Sequence, residues 1–106
     1  MPYSQTDSLK QGRDPVIDGP LVPLGYIQVT NLAAAVGLGT IPAGARVALL
    51  YSEGAALRWR DDGTNPTASV GMPLDVSTPL RYSGDLSKIK LIAQTGAPVL
   101  NIAFYG

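Results

Sequence analysis

A chain of 106 residues has room for one domain. At that size roughly two-thirds of the unfolded surface is buried on folding, enough for a core without cross-links. Cysteine and histidine are both absent, which excludes disulfides, thiolate metal sites, thiol nucleophiles and the imidazole acid/base group. Eight basic residues balance eight acidic ones, leaving no electrostatic footprint for nucleic acid or an anionic membrane.

No apolar run approaches the roughly 20 residues of a membrane-spanning helix. The N-terminus lacks the charged-then-apolar layout of a signal peptide, so synthesis in a cytoplasm is the expectation. Only 15% of residues are charged, against roughly 25% in soluble domains. A near-neutral, charge-poor surface favours association, so a covering partner is one expectation; a surface of Gly, Ser, Thr and Asn is the other.

Residues 1–20 hold few large apolar side chains and no sustained period. They read as an extended or flexible arm, with Tyr3 and Leu9, and further along Val16 and Ile17, as anchors should it drape over a neighbouring subunit. Residues 21–106 read as one domain of short strands. The first, 24–30, carries Tyr26, Ile27 and Val29, which favour a pleated surface. Residues 31–36 are alanine-rich but stopped by Gly37 and Gly39, so a surface loop with a short turn is expected. A turn over 41–45 leads into a strand over 46–52 that is apolar on both faces, as in an interior strand or one covered by a partner.

A strand over 56–60 follows, and its closeness predicts an antiparallel hairpin through 52–55. Leu57-Arg58-Trp59-Arg60 alternates apolar and cationic, placing Trp59 in the core and the arginines on the opposite side. Asp61-Asp62-Gly63 then forms a turn, and Asn65-Pro66 a second break. A short extended run ends at Met72-Pro73-Leu74, and Leu80-Arg81-Tyr82 is another brief strand. The strand over 88–94 points Ile89, Leu91 and Ala93 one way. The closing strand, 99–105, puts Leu100, Ile102 and Phe104 on one side, and its four-residue link to the preceding strand predicts a second hairpin. Six to eight short strands at near-regular spacing make an all-β fold, an antiparallel β-sandwich or jelly-roll-like small barrel with an extended N-terminal arm.

Among chemistry-bearing residues, Asp61 and Asp62 are adjacent, and neighbours on an extended chain point apart, so they form a turn rather than a shared-proton or metal pair. A calcium site would need Asp61, Asp62, Asp75 and Asp85 to converge by tertiary coincidence. Arg58 and Arg60 around Trp59 could serve sugar or single-stranded nucleic acid, but an Arg–Asp clamp on the turn is the simpler reading. Lys88 and Lys90 read as charges that blunt a strand edge. Neither Gly37-Leu38-Gly39 nor Gly71-Met72-Pro73 has the layout of a phosphate loop, and without histidine there is no ordinary triad. No catalytic residue, cofactor or metal site is expected.

The string from Leu57 to Thr67, followed by Gly71-Met72-Pro73-Leu74, Tyr82, Gly84-Asp85-Leu86 and the terminal Leu100-Asn101-Ile102-Ala103-Phe104-Tyr105, resembles small proteins encoded among the head and structural genes of tailed bacteriophages. The resemblance covers about residues 24 to 106 and does not reach the arm. It implies a virion structural protein, a capsid decoration or cement protein that oligomerises on the shell and bridges capsomers, with the major capsid protein or another virion protein as partner. Arg58, Trp59, Arg60, Asp61 and Asp62 are then structural or interface residues, and no nucleic acid or membrane is engaged. A tail, baseplate or fibre subunit, or a carbohydrate-binding module using Trp59 and exposed tyrosines, are the other expectations.

Overall fold

The computed structural model describes residues 20–106. Tyr3, Leu9 and the predicted arm, apart from Pro20, lie outside the described residues. The described chain forms seven strands: β1 (Pro23–Val29), β2 (Val47–Glu53), β3 (Leu57–Arg60), β4 (Met72–Leu74), β5 (Leu80–Tyr82), β6 (Lys90–Ala93) and β7 (Val99–Tyr105). No helix occurs among the described residues. The strands make two antiparallel sheets, one ordered β1-β7-β2-β5 and the other β4-β3-β6.

The period-two pattern explains the layering. Ala48, Leu50 and Ser52 of β2 are fully buried, as are Leu100 and Ile102 of β7, with Phe104 nearly so. From the other sheet Leu57, Leu74 and Leu91 meet them, and Leu32, Leu38, Leu86 and Ile89 close the core from the connections. Each Leu, Ile or Phe among them contributes about 1.5–3 kcal/mol by leaving water. Segment 31–38 is indeed a loop. It lies along β6, where Val36 and Leu91 exchange backbone hydrogen bonds of 2.9 and 2.8 Å and Ala93 N–H donates to the Leu32 carbonyl at 2.9 Å. The predicted turn over 41–45 is present, closed by Ala45 N–H on the Pro42 carbonyl at 3.1 Å.

Both expected hairpins are corrected by the topology. β2 pairs with β5 and β7, never with β3. Likewise β6 pairs with β3 while β7 pairs with β1 and β2. The two short links are therefore arches that carry the chain from one sheet to the other. Buried Ser52 marks the first arch: its hydroxyl donates to the Ala55 carbonyl at 2.5 Å, so the chain bends across the core instead of folding back beside β2. A short polar link fixes the reversal of direction, but the choice of sheet depends on which apolar faces must be covered.

Candidate functional site

Two surfaces concentrate the residues able to do something besides fill the core. The first grows from β3. Its alternation holds as expected: Leu57 is buried within the core and Trp59 packs against it, while Arg58 and Arg60 leave from the opposite side. Trp59 lies on the expected inward side and packs against the core cluster, but it is half-buried rather than enclosed. Its ring makes an edge-on contact with Tyr82, centroids 5.9 Å apart and planes at 68°. Trp59 pairs in register with Met72 of β4, whose side chain is 57% exposed.

The arginines fasten the loop that follows. Arg58 donates from Nε to the Ala68 carbonyl at 3.1 Å and from Nη1 to the Gly71 carbonyl at 2.8 Å. Within the loop, Thr67 and Val70 exchange backbone hydrogen bonds, and the Thr67 hydroxyl oxygen accepts from Val70 N–H at 3.0 Å. Arg60 forks onto Asp62, Nε to Oδ1 at 3.0 Å and Nη2 to Oδ2 at 2.5 Å, which is the predicted clamp. That hydrogen bonding holds the Asp62 carboxyl below its ordinary value and raises the Arg60 guanidinium above its own. Gly63 takes φ of +88° at the turn, as expected.

Asp61 points the other way and accepts a 2.7 Å hydrogen bond from the Tyr82 hydroxyl. Tyr82 is buried, and burial, followed by the hydrogen bond to Asp61, pushes its pKa up to about 12. Asp85 is held below the ordinary carboxylate value, first by the Ser87 hydroxyl that donates to it at 2.6 Å. Asp61, Asp62 and Asp85 thus have separate partners, and among the described residues no group of three or more acidic residues could hold a metal ion. Lys90 lies on β6, an edge strand of its sheet. Trp59, Arg60, Asp61, Asp62, Val70, Gly71 and Met72 together line an open groove of about 510 Å³. Tyr82 was invisible to sequence reasoning as a partner of this corner: 21 residues separate it from Asp61, and no local pattern signals their meeting.

The second surface is the outer face of the four-stranded sheet. Register lines up Tyr26, Ala103, Leu49 and Arg81 in one row, and Gln28, Asn101 and Tyr51 in the next. The second row is tied by hydrogen bonds. Tyr26 and Gln28 both donate to Asn101 Oδ1, the latter at 3.1 Å, and Asn101 Nδ2 donates to Glu53 at 3.1 Å. Beside it the face is apolar. Leu21, Val47, Leu49, Arg81 and Tyr105 line a second groove of about 310 Å³. Tyr26 is 59% exposed, and Leu49 and Tyr51 each 37%. The expectation that both faces of β2 are largely buried is corrected in part: the inner face is sealed, while on the outer one Val47 is buried and Leu49 and Tyr51 are partly exposed in the single chain.

Compared with family models, with curated proteins and with solved structures, the chain finds no match.

Proposed function

We propose that this chain is a structural protein of a bacteriophage particle, a decoration or cement protein that seats on the assembled capsid and bridges its subunits. The reading joins the phage-like string from Leu57 to Thr67 and the Gly71–Leu74 run to a compact two-sheet scaffold with an adhesive side. The observation that carries it is the outer face of the β1-β7-β2-β5 sheet, where Tyr26, Leu49 and Tyr51 remain exposed beside an apolar groove. A solvated antiparallel sheet face ordinarily carries polar residues at such positions, and exposed apolar patches mark sites of association.

The mechanism is linkage. A protein that binds the assembled shell better than free subunits stabilises assembly by its differential affinity alone. Many copies with modest contacts suffice, because each bridge makes the next contact effectively intramolecular. The major capsid protein, or neighbouring copies of this chain seated on it, would cover the apolar rows, with Arg81 and the Asn101 network at the rim.

The test uses particles grown without this protein, to which purified protein is added back. The wild-type chain sediments with the particles and raises the temperature at which they release DNA. Leu49→Glu, at a position 37% exposed, still folds and loses particle binding. Undiminished binding by a folded Leu49→Glu variant would refute the assignment of this face.

A further inference from the structure

We propose that the groove at the Trp59 end of the sandwich is a binding site for a neutral pyranose sugar, a function separate from adhesion through the outer sheet face. A pyranose presents an apolar C–H face and an edge of hydroxyl groups, so its site needs an apolar wall beside fixed donors and acceptors. The groove has both. Trp59 and Met72, paired across β3 and β4, supply the apolar wall, and Val70, 53% exposed, extends it. Asp61, Asp62 and Arg60 form the polar rim.

The rim has capacity left after its internal bonds. Arg60 commits its Nε–H and one Nη2–H to Asp62, leaving three of its five N–H donors, both on Nη1 and one on Nη2, for ligand oxygens. Asp61 uses Oδ2 for Tyr82, so Oδ1 is open to a hydroxyl donor. Two carboxylates against one guanidinium give the rim a net negative charge. That disfavours uronic and sialic acids, and nucleic acid for the same reason, while neutral hydroxyls can use both signs.

The wall is also held in shape before any ligand arrives. Arg58 clasps the loop at Ala68 and Gly71, and the Arg60–Asp62 fork fixes the rim. Such preorganisation lowers the ordering cost of binding. The groove is open, which suits an internal unit or chain end of a surface polysaccharide better than an enclosed monosaccharide.

Trp59 is the sole tryptophan, so its fluorescence reports on the site directly. Full-length protein is titrated with neutral malto-, cello- and chito-oligosaccharides, and with sialyllactose as an anionic control. The expected result is a saturable change with at least one neutral series and none with sialyllactose. Met72→Glu places a carboxylate on the apolar wall at an exposed position, so the fold persists, and it weakens the response by about tenfold or more, the scale of one lost contact. Leu49→Glu, on the other surface, leaves the titration unchanged, so failure of the adhesive reading and failure of this one are distinguishable. No saturable response with any neutral series, or a response that Met72→Glu leaves intact, overturns the proposal.

Discussion

Replacing Tyr82 by phenylalanine removes a hydroxyl that ties the two sheets together at the groove. Tyr82 belongs to β5 of the four-stranded sheet, and its acceptor Asp61 follows β3 of the other. At neutral pH the loss should be modest, about 1 kcal/mol, because exposed Asp61 regains water when the hydroxyl is gone. Alkaline pH amplifies the effect. The Tyr82 pKa rises from 10.0 to about 12 on folding. A raised folded-state pKa means the stabilisation is complete below pH 10 and is lost as pH climbs through 12. A shift of about two units corresponds to about 2–3 kcal/mol. Wild type should therefore be the more stable protein at neutral pH and the less stable one near the top of that window. The Tyr82→Phe variant lacks the titrating group, so the two stability curves cross. Urea unfolding followed by Trp59 emission at a series of pH values measures both, and titrations common to the two proteins cancel in the difference. A difference independent of pH would refute the assignment of Tyr82 as a buried, Asp61-bonded hydroxyl.

Gly71→Ala should destabilise the sandwich by about 1–3 kcal/mol in thermal melts. Gly71 has φ of +148°, and a Cβ there would lie 3.1 Å from Pro66 Cβ and 3.2 Å from both Arg58 Cβ and the Trp59 carbonyl oxygen. Ile102→Ala, at a fully buried position on β7 between β1 and β2, should cost about 2–5 kcal/mol in chemical unfolding. The lowered pKa of Asp62 predicts a contribution present above the ordinary carboxylate value of 3.8 and lost as pH falls below it. Asp62→Asn should remove that part of the acid dependence, and a carboxyl carbon NMR titration of wild type should find Asp62 ionised below the ordinary range.

The strands were legible because alternation is a local signal: Leu100, Ile102 and Phe104, or Leu57 against Arg58, declare their faces within a few residues. What stayed illegible depends on pairing at a distance. The links at 52–55 and 95–98 look like hairpin turns, and both serve as arches, because the destination sheet is set by the whole core rather than by the turn. Trp59 follows the same logic. Period two points it inward, and it packs against the core; its neighbours there, Met72 of β4 and Tyr82 of β5, come from distant strands that no local pattern announces. The Arg60–Asp62 clamp is readable, its partners lying two positions apart, while the Asp61–Tyr82 bond is not. The apolar outer face of β2 is visible in the sequence as a strand with two apolar sides; that Leu49 and Tyr51 on one side stay partly exposed depends on the sheet order.

The most direct test of adhesion through the four-stranded sheet is a cryo-electron microscopy map of particles that carry this protein. The account predicts density on the shell that fits the sandwich, with Tyr26, Leu49 and Tyr51 covered by a capsid subunit or a second copy. A map that places the sandwich with that face turned to solvent, or particles that contain none of the protein, would contradict it.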